Sequence, residues 1–364
     1  MKKVLLYGYD QRNLGDDLFV HTIANRYPDV KFYLWSDAVN KTTFSCLKNL
    51  VVLEQDSSKM KFLKRIRPSL AAKYKNRKDN SFDYIVFIGG SIFIEYGNWQ
   101  HNLAWWEYEA SKHPIYVLGA NFGPFHTEEF RKGFSKIFKK VEDVCLRDRY
   151  SQALFSDVEK VRYAPDILFS YPLQEKPLDE KQIFVSAIDC ASKDEGDNRL
   201  TGYEHSYIET MVYLLTGFVE KGYKVVLSSF CKAEGDENAI KRIRSEIPAD
   251  RTTIINYDGT NSQEVLDKIS ESSMIIASRF HAAIFGFAAD KPVFPVIYSD
   301  KTKHVLEDVG FKGQYLDIRH LEQIDVNSLL ENLDGQRLSN IDRLKKESEL
   351  HFMKLDQVLM KSSR

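Results

Sequence analysis

Met274–Lys301 reads MIIASRFHAAIFGFAADKPVFPVIYSDK and has the pattern of one strand–helix–strand unit. Met274–Ala277 is a short apolar run of the kind that forms a buried strand. Ser278 follows it and is a good N-cap residue for a helix. A second apolar run, Pro292–Tyr298, comes after the helical stretch. Repetition of this unit is what builds an α/β fold.

The start of this helix also has the composition of an anion site. Arg279, Phe280 and His281 are expected in the first helical turn, where free backbone N–H groups and the helix dipole favour negative charge. The second apolar run leads into Lys301. The segment therefore predicts a site for a small, multiply charged anion.

Short apolar runs alternate with amphipathic stretches along the rest of the chain, as expected for buried parallel strands separated by helices. We expect helices on both faces of each sheet, and two Rossmann-like domains that face each other across a cleft. The predicted strands are Val4–Tyr9, Tyr84–Ile88, Ile115–Leu118, Ile183–Ile188, Lys224–Ser228, Thr253–Asn256, Met274–Ala277 and Val293–Tyr298.

The boundary between the two domains is expected near Tyr171–Asp179, where two prolines and several charges interrupt the pattern. This predicts an N-terminal domain at 1–175, a C-terminal domain at 176–335 and a helical extension at 336–364. The amphipathic stretch Ile341–Lys361 is expected to cross back and pack on the first domain.

Composition excludes several classes of protein. The 364 residues include 51 basic and 52 acidic side chains, which argues against a general nucleic-acid binder. Four widely separated cysteines indicate reduced thiols, and no metal-binding motif is present, so no metal site is predicted. No apolar run approaches the roughly 18 residues of a membrane span. We expect a cytoplasmic protein.

Glycine-rich turns follow three predicted strands of the first half, and together they favour a ligand-binding crevice. Each has a plainer alternative as a helix cap or a tight turn. Asp16 in particular is expected to cap the first helix. The candidate cleft-lining residues are Asn13, Gly15, Asp16, Gly89, Gly90, Asn121 and Gly123.

Two other features of the first half have open interpretations. Arg147 follows a short strand and is expected at the cleft rim, although an Arg–Asp surface pair would explain it as well, and Arg149 is a rival for any functional role. The aromatic stretch Phe93–Tyr108 suits either core packing or stacking on a sugar ring.

Lys59–Lys78 contains nine basic residues and no acidic ones. It is either a solvated basic face or a patch that contacts an anionic membrane surface or a diphosphate-linked acceptor.

Taken together, these motifs resemble the polysaccharide pyruvyl transferase family over about residues 1–310. The most specific part of the resemblance is Ser278-Arg279-Phe280-His281 together with Tyr298-Ser-Asp-Lys301. The other matching pieces are Asn13-Leu14-Gly15-Asp16, Gly89-Gly90, Gly119-Ala-Asn-Phe-Gly-Pro124, Leu146-Arg147-Asp148, Tyr150-Ser151 and Ala164-Pro165-Asp166.

The resemblance implies a glycosyltransferase-B-type fold and transfer of a pyruvyl group from phosphoenolpyruvate onto two hydroxyls of one sugar. It implies that Arg147, Arg279 and Lys301 bind phosphoenolpyruvate and that His281 is catalytic. Lys303 lies near Lys301 and is an alternative to it. Phosphoenolpyruvate is then a co-substrate and no further cofactor is expected.

The expected partners are phosphoenolpyruvate and a saccharide acceptor, either lipid-linked or polymeric, with the protein at the inner face of the membrane if the basic patch binds lipid. The main alternative is a nucleotide-sugar-dependent glycosyltransferase of the same architecture. A non-catalytic cell-envelope binding protein is a third interpretation, although the Arg, His and Lys set is complete here.

Overall fold

A computed structural model describes residues 1–9, 11–54, 81–193, 200–321 and 324–360. The chain forms two compact units. Unit 1 comprises Met1–Asp10, Asp16–Ile167 and Glu349–Arg364, and unit 2 comprises Gln11–Gly15 and Leu168–Ser348. Each unit is built around a parallel β-sheet, which confirms the predicted α/β class with two Rossmann-like domains.

The sheet of unit 1 has the order β3-β2-β1-β4-β6-β7-β8, with β5 paired to β6, and all of its described pairings are parallel. Its strands are β1 (Lys3–Tyr7), β2 (Lys31–Ser36), β3 (Leu50–Glu54), β4 (Tyr84–Ile88), β5 (Ser91–Phe93), β6 (Ile115–Phe122), β7 (Asp143–Leu146) and β8 (Val161–Tyr163). Strand order reverses between β1 and β4, and ligands of such sheets bind at a reversal of this kind.

The described helices of unit 1 in its main segment are α1 (Leu14–Arg26, whose first residues belong to unit 2), α2 (Trp99–Ala110), α3 (Glu128–Phe138) and α4 (Arg149–Ala153). Phenylalanines dominate the core between α3 and the sheet: Phe130, Phe134 and Phe138 are fully buried. Thr127 caps α3 by accepting a hydrogen bond from the backbone N–H of Phe130. α3 therefore begins directly after its capping threonine.

Unit 2 has a sheet of order β11-β10-β9-β12-β13-β14, and its described pairings are also parallel. This is the strand order of a dinucleotide-binding fold, with the reversal between β9 and β12. The strands are β9 (Asp179–Ser186), β10 (Lys224–Ser229), β11 (Thr252–Asn256), β12 (Ser272–Ala277), β13 (Val293–Ile297) and β14 (Leu316–Asp317). Residues of β9, β10 and β12 such as Val185, Leu227 and Ile276 are fully buried, as expected for strands covered on both faces.

The described helices of unit 2 are α5 (Glu204–Glu220), α6 (Asp236–Glu246), α7 (Ser262–Glu271), α8 (Phe280–Ala288), α9 (Asp300–Asp308), α10 (Val326–Glu331) and α11 (Ile341–Ser348). Short 3₁₀ turns at Cys190–Lys193 and Lys232–Glu234 follow β9 and β10. Both turns therefore lie at the carboxyl ends of strands, where side chains converge on one edge of the sheet.

The chain returns to unit 1 at Glu349, and α12 (Met353–Leu359) belongs to that unit. Of the stretch Ile341–Lys361 that was expected to cross back, the first helix, α11, stays in unit 2. Asp356 accepts hydrogen bonds from Arg26 Nε at 2.9 Å and from the Tyr27 hydroxyl at 2.7 Å. His351 is fully buried and its Nε2 donates to the carbonyl of Pro165 at 2.8 Å. Burial, and then the charge of Arg162, lower the pKa of His351 to about 3, so this contact is made by neutral imidazole.

Candidate functional site

The helix start that opened the sequence argument differs in one respect from its prediction. Arg279 is the residue before α8, and no side chain caps this helix, so the prediction of Ser278 as the N-cap was wrong. The Ser278 hydroxyl instead lies 2.9 Å from the hydroxyl of Tyr207, and its N–H donates to the carbonyl of Ser186 at 3.1 Å. Ser278 therefore extends the contact between β12 and β9 instead of starting the helix.

Arg279 is buried, and its anionic partners come from the protein itself. Its Nε donates to Oδ2 of Asp236 at 2.8 Å, and Nη2 pairs with the other oxygen of the same carboxylate. Nη1 pairs with Glu234. Burial acts to lower the pKa of Arg279, but the charge and hydrogen bonds of Asp236 outweigh it and raise that pKa above its ordinary value. Arg279 is thus a permanently charged group at the strand-order reversal of unit 2.

Asp236 is fixed more firmly than a side chain in an ordinary ion pair. It is fully buried, and its Oδ2 also accepts hydrogen bonds from the backbone N–H groups of Phe230 and Cys231, both at 2.9 Å. Since these N–H groups directly follow β10, the carboxylate links the end of β10 to Arg279 at the end of β12. The bidentate Arg–carboxylate geometry is the strongest form of such a contact.

A second cation, Lys193, joins this cluster and was not singled out from the sequence. Its Nζ pairs with the same Oε2 of Glu234 that Arg279 contacts. Burial, and then the charge of Arg279, lower the pKa of Lys193 to about 7, and Lys301 acts in the same direction. Lys193 comes after β9 in a 3₁₀ turn with no recognisable motif, so only the fold brings it beside Arg279.

Lys301 lies in the first turn of α9, after the N-cap position Ser299. Its side chain is half-buried, whereas Lys303 on the same helix is exposed. Since Lys301 influences the pKa of Lys193, its charge acts on the cluster of Arg279 and Lys193. This placement favours Lys301 over Lys303 as the functional lysine.

His281 lies in the first turn of α8 with its ring largely buried and in edge contact with Phe280. Its other neighbour is Gly15, at the start of α1. A Cβ added to Gly15 would lie 1.7 Å from Nδ1 of His281, so a side chain there is incompatible with the position of the ring. Gly15 therefore allows the His281 ring to pack directly against the backbone.

The residues around Gly15 have clear local roles. The side-chain oxygen of Asn13 accepts a hydrogen bond from the N–H of Gly15 at 3.2 Å, which is the geometry of a helix cap. Asp16 and Asp17 lie in the first turn of α1, where their negative charge interacts favourably with the positive end of the helix dipole. The prediction that Asp16 caps this helix was wrong, since α1 begins before it, at Leu14.

Arg147 in unit 1 was expected at a cleft rim, but its side chain is buried. Its Nη1 pairs with the fully buried Asp166 at 3.1 Å, and its Nη2 donates to the side-chain oxygen of Asn121 at 2.8 Å. The Arg–Asp surface pair suggested as an alternative is also wrong: the pair is internal. Asp148 instead accepts from the N–H of Ser151 at 2.7 Å and caps α4.

The Gly89-Gly90 turn makes room for Arg147. A Cβ on Gly90 would lie 2.6 Å from Nη2 of Arg147, which is closer than side chains tolerate. The carbonyl of Gly90 also accepts from the N–H of Asn121 at 2.9 Å. Gly123 accepts through its carbonyl from the side-chain amide of Asn121 at 3.3 Å. Gly90 and Asn121 thus lie against Arg147, and Gly123 is hydrogen-bonded to Asn121. The proposed contact of Gly89, Gly90, Asn121 and Gly123 with a ligand stays a prediction.

Arg149 and the aromatic stretch Phe93–Tyr108, the other candidates of the first half, have contacts of their own. Arg149 lies over the ring of Tyr163, with 4.3 Å from its guanidinium carbon to the ring centroid. In the aromatic stretch, Trp106 is part of the core of unit 1, whereas Tyr96 and Tyr108 are exposed. Core packing therefore explains the centre of this stretch.

The described residues contain no group of three His, Cys, Asp or Glu side chains that could hold a metal ion. None of the helices formed by these described residues is long and apolar enough to cross a bilayer. The basic patch Lys59–Lys78 lies outside the described residues.

Solved structures with the same architecture include Anabaena HepE in complex with UDP and glucose, with a TM-score of 0.59 and 12% identity over 99% of this chain and 98% of that one. The UDP-GlcNAc 2-epimerase of Neisseria meningitidis matches with a TM-score of 0.61 and 11% identity over 98% of this chain and 100% of that one. These similarities support the glycosyltransferase-B-type fold.

The amylovoran biosynthesis protein AmsJ of Erwinia amylovora is 22% identical over an aligned length of 283 residues, and the match covers 71% of this chain and 68% of AmsJ. The sequence profile of polysaccharide pyruvyl transferases matches residues 13–300, from the Asn13 cap to the first residue of α9. The chain belongs to the polysaccharide pyruvyl transferase family.

Proposed function

We propose that the protein transfers the pyruvyl group of phosphoenolpyruvate onto two hydroxyls of one sugar, forming a cyclic ketal and releasing phosphate. Family membership supports this, and so does one observation above all: Lys193, Arg279 and Lys301 gather at the strand-order reversal of unit 2. Because AmsJ is an amylovoran biosynthesis protein by name and the family is that of polysaccharide pyruvyl transferases, we propose a cell-surface glycan intermediate as the acceptor.

The donor matches the charges of this cluster. Phosphoenolpyruvate carries a carboxylate and a phosphate on a three-carbon frame. Arginine binds such groups through two parallel hydrogen bonds, and lysine binds them as a point charge. In the absence of donor, Arg279 is held by Asp236 and Glu234. Use of Arg279 by the donor therefore requires one of these carboxylates to give way.

The reaction balances with the sugar and donor alone. A proton adds to the methylene carbon of the donor, and a sugar hydroxyl attacks the central carbon and loses its own proton. The bond from that carbon to the phosphate oxygen then breaks, and the second hydroxyl closes the ring. Of the two hydroxyl protons, one is accounted for by the new methyl group and the other by the released hydrogen phosphate.

His281 is the proposed acid and base in these proton transfers. Its position in the first turn of α8 puts it two residues after Arg279, on the helix that presents the donor-binding charge. General acid–base catalysis by such a group is typically worth roughly 10²- to 10⁴-fold in rate. Arg147 is kept as a donor-binding residue on the strength of the family resemblance alone.

Phosphate release from phosphoenolpyruvate in the presence of a saccharide acceptor tests the reaction, with the ketal detected by NMR. His281→Ala should lose turnover by roughly 10²-fold or more and keep its affinity for the donor. An unimpaired His281→Ala enzyme would remove histidine from the mechanism.

Donor binding is better tested with lysine than with arginine. Replacing Arg279 leaves the fully buried Asp236 without its partner, so loss of binding could not be separated from loss of the fold. Lys301→Gln should weaken donor binding, and Lys303→Gln is the matched control because Lys303 is an exposed lysine on the same helix. Equal donor affinities in the two variants would contradict the assignment of Lys301.

A nucleotide-sugar-dependent glycosyltransferase is the second candidate, since the structural relatives HepE and the 2-epimerase were solved with UDP or UDP-sugars. Their identity to this chain is 11–12%, which supports the shared fold and leaves the ligand open. Thermal-shift ranking of phosphoenolpyruvate against UDP-, GDP- and CMP-sugars separates the two functions. Stabilisation by a nucleotide sugar alone would favour the glycosyltransferase.

A further inference from the structure

The two carboxylates that hold Arg279 differ in how firmly they are themselves held. Asp236 is fully buried and receives two backbone N–H groups in addition to Nε and Nη2 of the arginine. Withdrawing Asp236 would leave those buried donors unsatisfied, which is strongly unfavourable. Asp236 is thus a fixed part of the cluster.

Glu234 is attached in a different way. Its side chain is 18% exposed, compared with 0% for Asp236, and a single oxygen, Oε2, accepts from both Lys193 and Arg279. It ends the one-turn 3₁₀ helix Lys232–Glu234, and Gly235 follows in a left-handed conformation with φ of 75°. Rotation of the Glu234 side chain toward solvent would leave the Arg279–Asp236 pair intact.

The position of Oε2 is also the position that a ligand oxyanion would take. One oxygen shared between a guanidinium and an ammonium group is how a phosphate or carboxylate oxygen is usually bound. Among the described residues of the cluster there are three cations, Lys193, Arg279 and Lys301, and two acids, Asp236 and Glu234, and this balance favours such a ligand. The effect on Lys193 is visible in its pKa, which burial and the charges of Arg279 and Lys301 lower. An added anion would relieve this repulsion.

We propose that Glu234 is an exchangeable stand-in for an oxyanion of the donor, which displaces it from Lys193 and Arg279 while Asp236 stays in place. The inference rests on the proposed function for the identity of the donor, and the cluster geometry alone supports the exchange. It gives Lys193 a role as a donor-binding residue, and it makes Glu234 a competitor that sets how tightly any anion binds.

The test is calorimetric titration of the full chain with phosphoenolpyruvate and, separately, with inorganic phosphate. Glu234→Gln should bind both anions about tenfold more tightly, the factor that loss of one competing charge-assisted hydrogen bond supplies. A merely structural role for Glu234 would weaken binding instead. Glu237→Gln is the matched control, since Glu237 is a neighbouring glutamate of similar exposure that pairs with Lys232.

Lys193→Gln provides an independent arm that does not depend on the folding of the glutamate variant. It should bind both anions several-fold more weakly than the wild type. Unchanged or weaker binding by a folded Glu234→Gln protein would overturn the exchange, and so would unchanged binding by Lys193→Gln. If the wild type fails to bind phosphoenolpyruvate but Glu234→Gln gains affinity for phosphate, the exchange stands and the proposed function fails.

Discussion

Gly15→Ala tests how the fold positions the proposed catalytic histidine. A Cβ at residue 15 would lie 1.7 Å from Nδ1, 2.2 Å from Cγ and 2.5 Å from Cε1 of His281. Ordinary contacts of a Cβ begin at 3.4 Å. All three atoms belong to the rigid imidazole ring, so the clash cannot be relieved by moving only the tip of a flexible side chain. Either the imidazole or the first turn of α1 has to move, by about 1.7 Å for the closest atom.

Two effects of opposite sign act in this variant. Alanine is favoured over glycine inside a helix by roughly 0.5–1 kcal/mol, so without the clash the substitution would stabilise α1. Displacement of a catalytic group by about 1 Å typically costs about 10²-fold in rate. We therefore expect the kcat for phosphate release to fall by about 10²-fold or more, with donor affinity retained because the Lys193–Arg279 cluster is untouched.

The measurement is steady-state phosphate release at saturating phosphoenolpyruvate and acceptor, with donor affinity determined by calorimetry. Gly202→Ala is the control, because a Cβ there meets nothing within 4 Å. Wild-type kcat in the Gly15→Ala enzyme would refute either the packing of His281 on Gly15 or its role in the reaction.

Three further predictions concern charge. Arg147→Ala should lower the free energy of unfolding at pH 7 by about 3–5 kcal/mol in urea titrations, because it leaves Asp166 charged, buried and without its ion-pair partner; a wild-type midpoint would contradict the internal pair. The lowered pKa of Lys193 means that, above about pH 7, the unfolded chain binds more protons than the folded protein. The free energy of unfolding of the wild type, relative to that of Lys193→Gln, should therefore rise as pH increases from 7 toward 10. The opposite slope in urea titrations would exclude a lowered pKa. Replacing the Lys and Arg residues of 59–78 by Gln should weaken binding to anionic liposomes, and equal binding would remove the membrane contact.

The sequence predicted those parts of the fold whose signal is local and continuous. The apolar runs of β4 and β12 correspond closely to the strands observed. The Gly89-Gly90 turn after β4 was expected to line a ligand-binding crevice or to form a tight turn, and the group that lies against Gly90 is the guanidinium of Arg147. A glycine reports that space is needed near the backbone, and the sequence carries no information about whether a ligand or the protein itself fills that space.

Two strands of unit 1, β2 and β3, were missed although each contains four consecutive apolar residues. β2 reads KFYLWS and β3 reads LVVLE, and both are partly solvent-accessible, with half-buried positions in β2 and throughout β3. They lie at the β3 end of the sheet of unit 1, away from its centre. An apolar run of this length cannot be told from a buried helical segment by periodicity alone.

The candidate site shows the same limit for side-chain partners. The sequence predicted an anion beside Arg279, and a buried arginine does have anionic partners here. The anion it expected was a ligand, whereas Asp236 follows β10 and reaches Arg279 through the adjacency of β10, β9 and β12. Only the strand order makes these two residues neighbours, and 43 positions separate them in the chain.

Arg147 and Arg279 share one feature, a buried carboxylate partner, and this feature affects how the two arginines should be tested. Arg147 after β7 is neutralised by Asp166 after β8, and Arg279 after β12 is neutralised by Asp236 after β10. Each arginine is thus paired with a carboxylate that follows another strand of the same sheet. Removing the arginine leaves that buried carboxylate without its ion-pair partner, which destabilises the fold. Loss of activity in an arginine variant alone cannot distinguish lost binding from lost packing. The lysines and Glu234 are attached more loosely, and their substitution reports on the anion itself.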